Sequence, residues 1–157
     1  RFGSMLYPLI NYRYMKSYSN DVIEIRLASR FKSGWINRYE TYYFDIFLKG
    51  TRTRVGYIDL RMGYSEFLYY LGNVGYRIYE EYRGNHYAYQ ACQLLFACAK
   101  DLQIPYLIIT CSPDNVASKK TLEKLEGKYM GEKKVPISHP MYLQGEKIKC
   151  IYRYDIL

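Results

Sequence analysis

Apolar and polar positions alternate through the first half of the chain, and the period lengthens near residue 85. The alternation predicts strands at Val22–Ser29, Tyr39–Leu48 (YETYYFDIFL) and Arg54–Arg61 (RVGYIDLR), with turns at Ser33-Gly34, Lys49-Gly50-Thr51 and Gly63–Ser65. Phe67–Tyr79 reads as a long fourth strand interrupted by Gly72 and Gly75, and glycines inside a strand mark a bulge or a close approach of another backbone. Beyond it Tyr87, Ala91, Leu94, Leu95 and Cys98 fall on one face of a helix. Tyr106–Thr110 is a short continuous apolar run, the mark of a strand covered on both faces. A second helix is predicted over Val116–Leu125, with Leu122 and Leu125 inward and Gly127 as its C-terminal cap. Lys128–Val135 and Lys147–Ile156 are the last two strands, separated by a Pro-bounded loop. Tyr7–Asn20 has no clear period and reads as irregular. The order β-β-β-β-α-β-α-β-β predicts an α+β domain built on a mixed, twisted sheet of about seven strands.

Composition changes this picture little. A chain of 157 residues, 49% of them hydrophobic, holds one core, so 5–157 reads as a single domain. The tetrapeptide RFGS before Met5 looks like a cloning remnant. The 21 tyrosines fit strand positions that cover apolar surface while leaving a hydroxyl in water. The four cysteines form no CxxC pair, and with two histidines they leave little basis for a metal site. Reduced thiols and the lack of a long apolar run point to a cytoplasmic protein without membrane contact. The net charge of +8 favours anionic partners, but there is no zinc-finger spacing and no arginine-rich arm, so nucleic acid is not the expected partner.

Chemistry concentrates where the period changes. Arg83, Gly84, Asn85, His86, Tyr87 and Ala88 join the fourth strand to the first helix. Gly84 permits a tight turn, the amides that follow point along the helix axis, and Arg83 adds a cation, which together make a site for a phosphate or pyrophosphate. The strings GxxxxGK[ST] and GxGxxG are absent, so this is neither a P-loop nor a dinucleotide fingerprint.

The stretch Arg83-Gly84-Asn85-His86-Tyr87-Ala88 resembles the Q/R-x-x-G-x-G/A motif of the Gcn5-related N-acetyltransferases, the GNAT superfamily, with His86 where that motif has glycine. Asn115, Ser118 and the segment Leu122–Gly127 (LEKLEG) are similar to the family's helix after the fifth strand. The resemblance implies an acetyl-CoA or other short acyl-CoA co-substrate, no metal, and direct acyl transfer to an amine. It implies that the pantetheine arm runs along the backbone of Tyr76, Ile78 and Tyr79, that the pyrophosphate rests on Gly84–Ala88, and that Asn115, Ser118 and Lys119 line the arm, with Lys119 and Lys120 near the nucleotide phosphates. The Ile78 amide would polarise the thioester carbonyl.

Several positions depart from the family. A tyrosine that many members use as proton donor is Leu122 here; Tyr129 and Tyr142 are substitutes by composition only. Glu24, Asp59, Glu80 and Glu81 are open candidates for a base. Asn73 has no useful basicity. His86 either touches a phosphate or caps the turn, and His139 lies in a loop that in the family borders the acceptor. Ser29–Tyr39 is too short for the helices that usually wall the acceptor pocket, so the pocket is open, is covered by the early tyrosine-rich segments, or is closed by a second subunit. The leading expectation is an N-acetyltransferase with an unidentified amine acceptor. A non-catalytic acyl-CoA-binding module is the alternative, and a basic nucleic-acid-binding domain is a more distant one.

Overall fold

The computed structural model describes residues 17–34 and 38–157. The expectations for RFGS, for Met5 and for the segment up to residue 16 lie outside these residues. Ser17–Ser19, read as irregular, forms a short strand, β1. It is followed by β2 (Ile23–Ser33), β3 (Tyr39–Leu48), β4 (Arg54–Met62), α1 (Glu66–Leu71), β5 (Val74–Ile78), α2 (Tyr87–Asp101), β6 (Tyr106–Cys111), α3 (Val116–Lys124), β7 (Lys128–Lys134), α4 (Pro140–Leu143) and β8 (Ile148–Asp155). Residues 34–38 alone separate β2 from β3, in keeping with the missing pair of helices.

The strands form two antiparallel sheets, of five strands in the order β1-β2-β3-β4-β5 and three in the order β6-β8-β7. The expected mixed sheet is thus parted between β5 and β6, where α2 carries the chain across. Ile23, Ile25, Phe44, Ile46, Ile58 and Leu60 point from the larger sheet into the same core as Leu95 and Cys98 of α2 and Leu107 and Ile109 of β6. That shared core holds the two sheets together with no ladder between β5 and β6 among the described residues.

Three local expectations are corrected. Phe67–Tyr79 is not one strand: its first part is α1, because the Ser65 side chain accepts from the Leu68 amide as an N-cap and Gly72, at φ 89°, ends the helix. The aromatic residues that suggested a strand are tolerated in so short a capped helix. Gly127 is not the left-handed cap of α3: that conformation falls to Glu126, at φ 61°. Gly127 is needed because a Cβ there would lie 2.4 Å from the Tyr154 ring. The Pro-bounded loop contains α4, capped by His139, whose Nδ1 accepts from the Met141 amide. His139 is buried, stacks on Phe67 and meets its carbonyl at 3.0 Å through Nε2, so it ties α4 to α1.

Candidate functional site

The gap between β5 and β6 follows from where each strand's hydrogen bonds go. Gly56 faces Ile78 in the β4–β5 ladder, and the Tyr79 amide donates to the Val55 carbonyl at 2.9 Å. Ladder bonds in an antiparallel pair alternate, so the odd-numbered residues of β5 bond to β4, and the peptide groups of Tyr76 and Ile78 face the other way. At the closed end of the gap, side chains replace a strand partner for β6. The Tyr64 hydroxyl accepts from the Tyr106 amide and donates to the Tyr106 carbonyl, at 3.3 and 2.6 Å. Next along the strand, Asn73 donates from its backbone amide to the Ile108 carbonyl and accepts from the Ile108 amide through Oδ1. Beyond these two clasps no strand among the described residues pairs with this edge of β5.

That open edge forms one wall of a groove of about 610 Å³, whose other walls are the start of α2 and one face of α3. At its outer end Gly84 is exposed, at φ 85°, and a Cβ there would meet nothing within 4 Å. His86 takes a left-handed conformation, at φ 60° and ψ 24°, and caps α2 without a side-chain hydrogen bond. This is the conformation glycine adopts freely, and histidine is among the few other residues found there. The first amides of α2, from Tyr87 to Tyr89, have no partner one turn earlier in the helix, so they and the helix dipole face the groove.

Among the sequence-predicted residues, Tyr76, Ile78, Arg83, Gly84, His86, Tyr87, Ala88, Asn115 and Ser118 converge on this groove. Arg83 donates through Nε to the Ile78 carbonyl at 3.1 Å, which ties the turn to the open edge. Asn115 caps α3, its Oδ1 accepting from the Ser118 amide. Tyr79, Asn85 and Lys119 do not line it. Tyr79 lies under the Arg54 guanidinium, and Asn85 donates to the Tyr82 carbonyl, locking the turn. Tyr129 and Tyr142 are elsewhere: Tyr129 is half exposed on β7 against Tyr152, and Tyr142 lies on α4 beneath Lys147. Leu122 is fully buried, and its carbonyl accepts from the Tyr154 hydroxyl.

Residues that the sequence reading did not single out also line the groove, notably Tyr82, Tyr89, Thr121 and Lys124. Lys124 sits 4.4 Å above the Tyr89 ring and so bridges α3 and α2. Ala117, Thr121 and Lys124 repeat at helical spacing, the one signal that could have found this face. Tyr76 reaches across from β5, its hydroxyl 3.4 Å from Ser118 Oγ, and burial pushes its pKa up to about 12.

The open candidates for a base sit in different surroundings. A hydrogen bond from Arg26 holds Glu24 below the ordinary carboxylate range, which makes it a poor base. Burial raises Asp59, against the pull of Arg61 at 3.0 Å. Glu80 and Glu81 lie in the 3-10 turn ahead of Arg83. The cysteine thiols are buried, and desolvation lifts Cys92 and Cys98 to about 12 and Cys111 to about 11, so none of these three is a ready nucleophile. No cluster of metal-ligating side chains exists among the described residues. None of the helices described is long and apolar enough to cross a membrane.

Comparison with known proteins adds a family. Residues 8–128 match the family model described as an acetyltransferase (GNAT) domain. Among solved structures, an acetyltransferase from Agrobacterium tumefaciens superimposes with a TM-score of 0.54 at 26% identity, over 73% of this chain and 60% of that one. The microcin C7 self-immunity acetyltransferase, solved in complex with acetyl-CoA and AMP, gives 0.56 at 19% identity, over 73% and 61%. A putative ribosomal-protein-serine acetyltransferase from Vibrio cholerae gives 0.60 at 17% identity, over 88% and 97%. The chain therefore spans about three fifths of the first two proteins and nearly all of the third. No curated protein matches.

Proposed function

The chain belongs to the GNAT acetyltransferase family, and on that premise we propose that it transfers an acetyl group from acetyl-CoA, or a related short acyl-CoA, directly to an amine. The observation that carries this reading is a shared groove: the open edge of β5 and the start of α2, whose cap His86 makes no side-chain hydrogen bond, border the same space.

Each part of the substrate meets chemistry suited to it. The pyrophosphate rests on the amides of Gly84–Ala88, where exposed N–H groups and the helix dipole favour negative charge. The pantetheine arm lies along β5, whose Tyr76 and Ile78 peptides face the gap, as an added strand would. Asn115 and Ser118 face it from α3, and Lys120 and Lys124 supply cations towards the nucleotide. The Ile78 amide donates to the thioester carbonyl as negative charge builds there. The amine attacks the carbonyl carbon, the C–N bond forms, and the C–S bond breaks with its electron pair passing to sulfur. Holding the two reactants together supplies much of the acceleration.

A non-catalytic acyl-CoA-binding module is the second reading. It draws on Leu122, which is fully buried and leaves α3 without a side-chain acid at that position. Two measurements separate the possibilities. Stabilisation by acetyl-CoA, but not by single-stranded RNA, in a thermal melt supports the groove; no shift with any CoA ester would remove both readings. Thiol release from acetyl-CoA in the presence of peptide, polyamine and amino-sugar acceptors then supports the enzyme over the binding module.

A further inference from the structure

We propose that the protein has a second ligand site, separate from the groove, that takes a small single-ring carboxylate. The site is a cavity of about 190 Å³ between α1 and the outer face of the three-stranded sheet. It stands whether or not the groove holds an acyl-CoA.

Alternation along β6 creates the space. Leu107 and Ile109 point into the shared core, so Ile108 between them faces the other side of the sheet. α1 packs over that side, on β6 and β8. It is only six residues long and leaves part of the face uncovered. The cavity lies there, with Leu68 and Tyr69 on the helix side and Ile108 and Met130 on the sheet side. Its volume is well under the ~300 Å³ at which sites for drug-sized ligands begin. An apolar cavity of ~150 Å³ already takes benzene, so one ring fits here.

Most of the polar groups around this space are committed. The Tyr64 hydroxyl bonds the Tyr106 backbone, Ser65 caps α1, and the Asn73 side chain bonds Ile108, Arg61 and Gly63. Arg153 is different, and among the described residues it is the one charged side chain in the lining. Its guanidinium lies 3.8 Å from the centre of the Tyr106 ring, and its Nε donates to Asp155 at 3.0 Å. Neither terminal nitrogen has a partner among the described residues. Stacking uses the face of the guanidinium and leaves its edge, where paired N–H groups match the two oxygens of a carboxylate. Lys128 is exposed and stands directly opposite Arg153 on the same face of the sheet, which adds a second cation at the rim. The ring of the ligand then rests on Leu68, Ile108 and Met130, and its carboxylate meets Arg153. Tyr64, Asn73 and Ile108 belong both to this lining and to the clasps at the closed end of the gap. A bound ligand therefore braces the point from which β5 and β6 part.

The test is methyl NMR of the full chain titrated with benzoate. Benzyl alcohol supplies the same ring without charge, benzylamine the ring with a cation, and acetate the charge without a ring. Benzoate should shift the methyl signals of Leu68, Ile108 and Met130 saturably. It should bind about tenfold more tightly than benzyl alcohol, because hydrogen bonds to charged groups are the stronger ones. Acetate and benzylamine should leave those signals in place at the same concentrations. Arg153→Met should bring benzoate to within about threefold of benzyl alcohol, and Met130→Trp should fill the cavity and abolish binding of both. If either variant fails to fold, the comparison of benzoate with benzyl alcohol on the wild type still decides. Bound benzoate should also slow hydrogen exchange of the Ile108 amide, which Asn73 holds; unchanged exchange overturns the bracing. No saturable shift with benzoate, or equal affinity for benzoate and benzyl alcohol, overturns the site. Displacement of benzoate by acetyl-CoA, or shifts confined to groove methyls such as those of Ala117 and Thr121, also overturns it, because the ligand would then lie in the groove. An unchanged benzoate response with acetyl-CoA present supports two separate sites.

Discussion

Asn73 and Ile108 exchange two hydrogen bonds across the gap between the sheets: the Asn73 amide donates to the Ile108 carbonyl at 2.6 Å, and Asn73 Oδ1 accepts from the Ile108 amide at 2.9 Å. Asn73 Nδ2 also donates to the carbonyls of Arg61 and Gly63. One buried side chain therefore joins β4, β5 and β6 at the point where the strands begin to part. Asn73→Ala removes a partner from the buried Ile108 amide and from the partly buried carbonyls of Arg61 and Gly63. It should cost about 3 kcal/mol, since each unpaired group costs ~1–3 kcal/mol and some relaxation is available. Urea unfolding reads the loss, and the same variant should weaken acetyl-CoA binding by letting the closed end of the gap open.

Gly56 sets how closely β4 approaches the Ile78 segment. A Cβ there would sit 2.1 Å from the Arg77 carbonyl oxygen, a contact that backbone must move to relieve. Gly56→Val should destabilise the fold by roughly 3 kcal/mol or more, with overpacking and a displaced strand acting together. Its peptide displacement should reach the open edge of β5, so residual folded protein should bind acetyl-CoA at least tenfold more weakly. Unfolding curves with and without ligand check both parts.

His86 and Gly84 test whether backbone shape governs the anion site. His86 is held at φ 60° where glycine would be unstrained. His86→Gly should leave stability within about 1 kcal/mol of wild type, strain relief being offset by the freedom glycine gains when unfolded. His86→Val should lose about 1–2 kcal/mol, because a β-branched residue is costly in that conformation. Gly84→Val meets no steric neighbour, so any loss of acetyl-CoA affinity there comes from strain at φ 85° that re-aims the following amides. Calorimetric affinities alongside thermal melts distinguish a lost site from a lost fold.

Alkaline pH should destabilise the protein through its buried thiols. Burial holds Cys92 at about 12, above its unfolded value near 9. The folded state thus keeps a proton that the unfolded state releases. The associated stability is present below about pH 9 and is lost as the pH rises towards 12. Cys92→Ala should reduce the downward slope of stability against pH in that window by up to ~1.4 kcal/mol per pH unit, the equivalent of one proton. Urea titrations at stepped pH supply the measurement; an unchanged slope would assign the loss to other groups, such as Cys98 or Tyr76.

The alternation in YETYYFDIFL predicted β3 with its observed limits, and the change of period at Tyr87 located α2. The family motif in Arg83–Ala88 and the start of the second helix at Val116 were likewise readable, because turns and helix ends are set by a few residues close together in the chain. α1 was missed, since its evidence is a single Ser65 cap against a run of strand-forming aromatics. Gly127 was misjudged because the ring that excludes a side chain there belongs to Tyr154, in another strand.

The chain by itself therefore determined β2–β4 and β6–β8, the two main helices and the glycine-containing turn that precedes α2, all consequences of local periodicity and backbone preference. Tertiary structure decided where the described tyrosines lie: Tyr64 seals the edge of β6, Tyr76 enters the groove, and Tyr129 and Tyr142 lie away from it. It also decided that β5 and β6 part beyond Asn73. These outcomes depend on hydrogen bonds between residues distant in sequence, such as Tyr64 with Tyr106 and Asn73 with Ile108, and no local pattern encodes which distant partner a polar group will find.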